Sequence, residues 1–223
     1  QGAVEGDYVS RTQPFPSKPA PLNPIKFDPE KAFGFTFWDR GHCKRTAKKL
    51  RNEGLYTPPS LEGSIHYPSG VGGNNWGGPA IDPERNIMVV NTNNMASLIV
   101  MVPREDCNKP LEELSINKNQ VRFTNIEENE GAPYCNLRSM GFFSPLGVPC
   151  TEPPWGTLTA IDLDTGEHLW NVPLGTSKDL APFPFWWIKG APNIGGPTVT
   201  ASGVTFIGAT SDHYLRAFNT ETG

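Results

Sequence analysis

A five-residue segment that could face a ligand occurs twice in this chain. Asn75 and Trp76 begin the first copy, Asn193 and Ile194 begin the second, and both copies continue Gly-Gly-Pro. An asparagine amide both donates and accepts hydrogen bonds, which suits a ligand that carries carbonyl and carboxylate groups. Paired glycines allow a close approach of the backbone. Asn and Gly also make ordinary turns, so a purely structural role is the competing interpretation.

Each copy opens a longer repeat of short strands and turns. A turn and an apolar run follow at residues 82–90 in the first copy and 201–207 in the second, and residues 158–166 match residues 215–223. In the first copy, residues 167–170 supply a fourth strand. Four antiparallel strands per repeat are typical of a β-propeller blade, whose innermost strand lines the propeller axis. The repeat therefore predicts an all-β partial propeller of about two blades, with both Asn-x-Gly-Gly-Pro segments within reach of a ligand on the axis.

The first copy carries a large insertion between its second and third strands. Gly78 and Leu158 are 80 positions apart, whereas the equivalent Gly196 and Leu215 are 19 apart, so about 61 residues, roughly 95–155, are added. Loops this long are uncommon in compact domains and are usually functional or docked on the rest of the fold.

The remaining segments are a proline-rich arm and one short helix. Six prolines in residues 1–30 predict an extended arm, and residues 39–51 predict a helix capped by Asp39. We therefore divide the chain into an arm with a helix (1–74), a blade with an insertion (75–175), and a connecting segment with an incomplete last blade (176–223). Because the second copy stops before its last strand, we expect the native polypeptide to continue and further blades to precede this segment.

Composition argues against a nucleic-acid surface. The formal net charge is -4, from 23 acidic and 19 basic side chains, whereas nucleic-acid binding calls for clustered Lys and Arg. The densest basic run, residues 44–51, is typical of the solvent face of a helix. No run of 18 apolar residues occurs in the sequence. We expect no nucleic-acid partner.

The four cysteines are dispersed, at positions 43, 107, 135 and 150, without a CxxC pair. An even, dispersed set is compatible with two disulfides in an oxidising compartment, and four buried thiols are the alternative. The four histidines show no metal-ligand spacing, so we expect no metal site built by this chain alone.

Four stretches together resemble one enzyme family. Residues 160–170, Ala-Ile-Asp-Leu-Asp-Thr-Gly-Glu-His-Leu-Trp, resemble the tryptophan-docking motif of quinoprotein dehydrogenases, in which the Trp clamps neighbouring blades. Residues 53–60, 147–156 and 212–217 resemble the membrane-bound glucose/quinate/shikimate branch of that family. The chain is accordingly identified as the C-terminal part of a propeller that depends on pyrroloquinoline quinone (PQQ).

The resemblance implies an eight-bladed propeller with PQQ on its axis and a divalent cation, Ca or Mg, beside it. A catalytic carboxylate takes the substrate proton while hydride passes to the quinone, and the electrons then reach ubiquinone. The resemblance places such an enzyme in the periplasm, on the outer face of the bacterial inner membrane, with its membrane anchor outside this chain. The catalytic Asp, the Lys at the quinone oxygens and the metal ligands lie in earlier blades, and no position here matches them. We therefore expect no catalytic residue in this chain and no activity from it alone.

The resemblance also assigns residues to the cofactor site. Asn91 matches the active-site asparagine of the family, and the segment containing Asn75 and Trp76 contacts or covers PQQ. Ile194 is its apolar counterpart in the second copy, and Asn193, the equivalent of Asn75, is a further cofactor-binding candidate.

The resemblance further implies two disulfides. Cys43 and Cys150 fall where other members of the branch have cysteines, which pairs them with each other and leaves Cys107 to pair with Cys135. Four cysteines taken alone allow three pairings.

Substrate and function class have competing interpretations. Residues 93–97 and 185–187 resemble the quinate/shikimate type more than the glucose type, with glucose and other polyols as alternatives. For Trp186 and Trp187, packing in the core is favoured over an exposed rim that guards the site or meets the membrane quinones. A non-catalytic propeller scaffold or a lectin-like β-domain is the competing class, and such scaffolds lack the Asn-Trp-Gly-Gly segment and the large insertion.

Overall fold

The computed structural model describes residues 4–8, 10–68, 70, 72–74, 76–111, 113, 114, 123 and 125–223. Its helix and strands are, in chain order, α1 (Phe37–Ala47), β1 (Ser64–His66), β2 (Ala80–Asp82), β3 (Ile87–Asn93), β4 (Ser97–Pro103), β5 (Asn125–Glu127), β6 (Tyr134–Arg138), β7 (Gly156–Asp162), β8 (His168–Pro173), β9 (Thr198–Val199), β10 (Val204–Ile207) and β11 (Arg216–Asn219). Three short 3-10 helices lie at Pro29–Lys31, Arg104–Asp106 and Phe185–Trp187.

Contacts divide the chain into two compact units. The first comprises Gln1–Pro14, Ile25–Gly70 and Met95–Glu152, and the second comprises Phe15–Pro24, Val71–Asn94 and Pro153–Gly223. We call them the insertion unit and the blade unit. The three-range division made from the sequence stays a prediction of blade limits.

The blade unit contains the four-stranded sheet that the repeat predicts. Its strands are antiparallel in the order β2-β3-β7-β8, with β3 and β7 paired over seven residues from Ile87↔Asp162 to Asn93↔Gly156. A second sheet, β11-β10-β9, repeats the first three strands of that order. Val89, Leu158 and Ile207 belong to one buried core that both sheets share.

Acidic or amide side chains at the strand ends build the turns of both sheets. Asp82, Asp162 and Asn219 each accept hydrogen bonds through Oδ1 from the backbone amides two and three residues later. Such side-chain turns stop a strand and reverse the chain, which is why the repeat places Asp or Asn at this position.

Trp170 joins the two sheets of the blade unit in the manner that the docking motif implies. Its Nε1 donates a 3.0 Å hydrogen bond to the carbonyl oxygen of Thr220, in the turn after β11. The indole also packs against the core shared by both sheets. A half-buried tryptophan of this kind stabilises the contact between neighbouring blades by burying apolar area, and its N–H hydrogen bond fixes the orientation of the contact.

The insertion unit has a sheet of its own, which the repeat does not reveal. Strands β4, β5 and β6 lie within the predicted insertion and pair with β1 in the order β1-β4-β6-β5. Alternate side chains of β4 and β6, such as Val100, Val102 and Leu137, are buried in one cluster. The insertion is therefore a folded structure that recruits residues 64–66 from outside itself.

The helix begins two residues earlier than the sequence suggests. Thr36, not Asp39, is the N-cap: its Oγ1 accepts a 3.2 Å hydrogen bond from the Asp39 amide. The Asp39 carboxylate is buried and accepts hydrogen bonds from the amides of Phe35 and Leu146. The helix ends at Ala47, before the predicted Arg51. The prediction failed because both Thr and Asp are favoured N-caps, and the bond that Asp39 accepts from the distant Leu146 amide is not visible in the local sequence.

Two disulfides hold the insertion unit. Cys43 is bonded to Cys150 and Cys107 to Cys135, which is the pairing implied by the family resemblance. The first links α1 to the end of the insertion across 107 positions, and the second closes a 28-position span within it.

Candidate functional site

Three asparagines form a buried polar joint where the two repeats of the blade unit meet. Asn91 and Asn93 lie at the end of β3, and Asn193 lies before β9. Asn91 Nδ2 donates to Asn193 Oδ1 at 2.6 Å and to the Gly195 carbonyl at 2.8 Å. Asn93 Nδ2 donates to the Asn193 carbonyl at 2.7 Å and its Oδ1 accepts from the Asn193 amide at 2.8 Å. We call Asn91, Asn93 and Asn193 the asparagine joint.

Backbone groups fix the orientation of every amide in the asparagine joint. Asn193 Nδ2 donates to the carbonyl of Thr92 at 3.1 Å and more weakly to that of Ala191 at 3.4 Å. A carbonyl can only accept and an amide N–H can only donate, so none of the three side chains can be flipped without losing bonds. Satisfied buried networks of this kind specify one arrangement of the strands.

The Gly-Gly pairs of the two repeats pack directly against each other. A Cβ atom on Gly77 would lie 2.2 Å from the carbonyl carbon of Gly195, and one on Gly196 would lie 2.2 Å from the carbonyl oxygen of Gly77. Both contacts are with backbone, so neither can be relieved by moving a side chain. The repeated glycines are therefore explained by the approach of one repeat to the other.

The predicted site residues fall into two groups in the structure. Asn91 and Asn193 are buried, whereas Trp76 is 93% exposed and Ile194 is 61% exposed. Asn75 lies outside the described residues. Both polar atoms of the Asn193 side chain are bonded to protein, so its structural role is clear, and its direct contact with a ligand stays a prediction.

Asn91 differs from its partners because only its nitrogen is used. Both hydrogen bonds of the side chain leave from Nδ2, and within the described part of the chain Oδ1 accepts none. The amide is thus anchored on one side and keeps an acceptor for another group. The Ile194 backbone amide donates to the Ala209 carbonyl at 2.9 Å, which fixes the backbone that carries this exposed side chain, next to Asn193 of the joint.

The sequence does not assign three residues of this region to the joint. Asn93 is connected in the sequence only with a resemblance to one substrate type, although its side chain closes the joint. The hydroxyls of Thr92 and Thr157, which face each other at 2.7 Å between β3 and β7, were not considered. The available signal was the polar run Asn-Thr-Asn at the end of an apolar strand, since polar residues that continue a buried strand need partners.

A buried ion pair holds the chain beside the joint. The Asp212 carboxylate is fully buried, and it accepts hydrogen bonds from Arg216, from the Thr210 hydroxyl and, at 2.7 Å, from the Thr176 amide. Burial raises the pKa of Asp212, but the bonds from Arg216, Thr210 and Thr176 outweigh it and hold the pKa well below its ordinary value of 3.8.

Acidification is expected to remove the stabilisation that Asp212 provides. Because its folded pKa is depressed, this stabilisation is complete above the ordinary value of 3.8 and is lost as the pH falls through the folded value. Asp212→Asn should cost about 2 kcal/mol at neutral pH and progressively less in acid. Hydrogen exchange of the Thr176 amide in the whole protein measures this, with the exposed Asp164→Asn as control. A cost that is independent of pH would contradict the assignment.

We also looked among the described residues for a metal site and for a membrane-spanning helix. Among them no group of three or more His, Cys, Asp or Glu side chains could hold a metal ion. None of the helices in the described ranges has the length and apolar character needed to cross a membrane.

Comparison with known proteins identifies the family. The family model described as PQQ glucose/ethanol/alcohol dehydrogenase, beta-propeller domain, matches residues 1–223. This chain belongs to that family. The predicted family and the predicted partial propeller are thereby confirmed.

Relatives within the PQQ dehydrogenase family differ in substrate. The quinoprotein glucose dehydrogenase of Escherichia coli is 36% identical over all of this chain and 28% of its own length. The quinate/shikimate dehydrogenase (quinone) of Acinetobacter baylyi is 35% identical over 99% of this chain and 27% of its own length. The chain thus spans under a third of these relatives. The quinohemoprotein alcohol dehydrogenase of Comamonas testosteroni, a solved structure, gives a TM-score of 0.42 at 18% identity over 72% of this chain and 19% of its own, too low to carry an argument.

Proposed function

We propose that this chain forms one wall of the cofactor site of a PQQ-dependent dehydrogenase that oxidises a cyclic polyol such as quinate or shikimate. The proposal includes electron transfer to ubiquinone, a periplasmic location on the inner membrane, and the rest of the propeller as a partner. The observation that carries it is the asparagine joint between two repeats of a chain in the PQQ family, in which Asn91 Oδ1 accepts no hydrogen bond from the residues that the structure describes.

The residues beside the joint suit a flat quinone that carries polar groups at its rim. PQQ, when bound, supplies the two-electron acceptor for hydride. Asn91 Oδ1 would accept a hydrogen bond from an N–H at the rim of the quinone, or from a water molecule bound to that rim. The exposed side chains of Trp76 and Ile194 offer apolar surface for the ring. Asn75 is proposed as a further contact from its equivalence to Asn193. The joint keeps these groups in place without itself taking part in proton transfer.

The proposal includes a divalent cation, which would be bound mainly by parts of the protein other than this chain. Ca or Mg prefers carboxylate and carbonyl oxygens. The described residues near the joint supply amides rather than carboxylates, and Asp212 is already paired with Arg216. We therefore propose that the cation is bound mainly by residues outside this chain, as is the catalytic base.

Reconstitution of the whole protein with PQQ tests the proposal. Apoprotein should bind PQQ in the presence of Ca or Mg and reduce a soluble dye when given a polyol. A protein that shows no quinone absorbance after reconstitution would instead favour a non-catalytic propeller scaffold.

Asn91→Ala is expected to weaken PQQ binding about tenfold, the loss of one hydrogen bond of about 1.4 kcal/mol. Asn93→Ala is the matched control, because it also removes two side-chain hydrogen bonds, both to the Asn193 backbone, and both amide atoms of Asn93 are already used within the joint. Both variants should be destabilised, and Asn91→Ala alone should lose affinity in a PQQ titration. Equal affinities in the two variants would remove Asn91 from the cofactor site.

The substrate choice rests on residues 93–97 and 185–187, which resemble the quinate/shikimate type. The relatives at 35–37% identity include both glucose and quinate dehydrogenases, so the alternative is a glucose or linear-polyol dehydrogenase. A panel of quinate, shikimate, glucose and glycerol, compared by kcat/KM on the reconstituted protein, distinguishes them.

A further inference from the structure

A closed loop of the blade unit presents aromatic side chains to solvent. We call residues 177–188 the aromatic loop. Its two ends, Ser177 and Ile188, are buried, and the Ser177 amide donates to the Ile188 carbonyl at 3.0 Å. Inside the loop, the Ser177 hydroxyl donates to the Phe185 carbonyl at 2.6 Å. The backbone that carries the exposed rings is therefore held by its own hydrogen bonds.

The apolar side chains of the aromatic loop point away from the core. Phe183 is 74% exposed and Trp187 is 70% exposed, and Leu180 and Trp186 are exposed beside them. The rings of Phe183 and Trp186 meet edge to face with centroids 5.2 Å apart, so they form one patch. The expectation that Trp186 and Trp187 pack in the core is thus wrong. The sequence could not show it, because aromatic content alone does not say which face of a loop is covered.

Two lysines frame this patch. Lys178 follows the first buried end and Lys189 follows the second, and both are exposed. Neither has an ion-pair partner among the described residues, in a chain whose net charge is -4. Asp179 is the single acidic residue of the loop. The local charge is therefore opposite in sign to that of the chain.

We infer that the aromatic loop docks into the surface of a bilayer that carries anionic headgroups. Trp and Phe prefer the boundary between headgroups and acyl chains, and lysines beside them reach anionic phosphates. A loop whose backbone is fixed in advance loses little entropy on insertion. Protein partners also bind exposed aromatics, but the unpaired lysines at both ends of the patch favour the lipid surface. The inference rests on the proposed location at the inner membrane, but it does not depend on PQQ.

A depth-sensitive label on the loop tests this inference. All four cysteines of the chain are in disulfides, so Phe183→Cys introduces a single reactive thiol into this segment for an environment-sensitive fluorophore. Ser202→Cys, in the exposed turn before β10, is the matched control. The whole protein is placed in nanodiscs of equal parts phosphatidylcholine and phosphatidylglycerol, with and without brominated acyl chains. We expect several-fold stronger bromine quenching at position 183 than at position 202.

Charge reversal gives the second arm of the test. Lys178→Glu combined with Lys189→Glu should reduce the quenching at position 183 several-fold, whereas Lys49→Glu, an exposed lysine of the insertion unit, should not. Equal quenching at positions 183 and 202 overturns the inference, as does quenching that is unchanged by charge reversal or by omission of phosphatidylglycerol. A label shielded from both lipid and soluble quencher would mean that protein covers the loop, which also overturns it.

The redox proposal is read separately, by reduction of a soluble dye. Loss of quenching with intact dye reduction overturns docking alone, and loss of PQQ binding with intact quenching overturns the redox function alone. If Trp186→Ser with Trp187→Ser abolishes dye reduction and leaves lipid quenching unchanged, the loop is a wall of the substrate site rather than a docking element.

Discussion

Asn193→Asp is expected to destabilise the blade unit by about 3–5 kcal/mol at neutral pH, the usual cost of an uncompensated buried charge. The substituted oxygen would face the carbonyls of Thr92 and Ala191, which cannot donate a hydrogen bond. The carboxyl can escape this repulsion by taking up a proton, so its pKa in the folded protein should be raised. The lost stability should therefore be recovered as the pH falls toward the ordinary carboxyl pKa, by about 1.4 kcal/mol for each pH unit.

Asn171→Asp is the matched control for this variant. Asn171 Nδ2 donates to the Thr159 hydroxyl at 2.6 Å, and a hydroxyl can rotate to donate to a carboxylate instead. Its substitution should change stability by less than about 0.5 kcal/mol. Hydrogen exchange over β3 and residues 191–195 in the whole protein gives the local free energies. Equal effects of the two substitutions would show that the joint tolerates an acceptor at Asn193.

Removal of the Cys43–Cys150 disulfide is the second large effect, with an expected cost of about 4.8 kcal/mol from the entropy that the unfolded chain regains. This disulfide spans 107 positions, and the Cys107–Cys135 disulfide spans 28. The same relation gives about 3.6 kcal/mol for the shorter span. Both disulfides lie in the insertion unit, so the two double alanine variants can be compared in one set of protected amides.

The order of the two costs is the discriminating observation. Hydrogen exchange of β4 and β6 should show a larger loss of protection for Cys43→Ala with Cys150→Ala than for Cys107→Ala with Cys135→Ala. The reverse order would mean that packing around the sulfurs, rather than the length of the closed chain, sets their contribution.

The predictable part of this fold is local. A turn made by Asp82 or Asp162 depends on amides two and three residues away, so the repeat in the sequence located it correctly. The pairing of β1 with β4 joins residues 31 to 35 positions apart that belong to no repeat, so the sequence did not reveal it. The predicted start of α1 was wrong for the same reason. The Asp39 carboxylate accepts a hydrogen bond from the amide of Leu146, which lies 107 positions away in the sequence.

The position of the site could be predicted from the sequence, but the role of each asparagine in it could not. The repeat placed Asn91 and Asn193 near each other, yet an amide has the same composition whether it binds protein or ligand. Only the structure shows that both polar atoms of the Asn193 side chain are bonded, whereas Asn91 Oδ1 accepts no hydrogen bond from the described residues. Exposure of Trp76 and Ile194 likewise depends on which surfaces the neighbouring strands cover.

The alternation of the two units along the chain has a consequence for synthesis on the ribosome. The insertion unit is complete once Glu152 has emerged, whereas β3 must wait for β7, which begins at Gly156. During that interval the hairpin of β2 and β3 has an unpaired edge, a condition that promotes misassociation with other chains. The strands of the insertion unit can therefore pair before the remaining strands of the blade unit are translated.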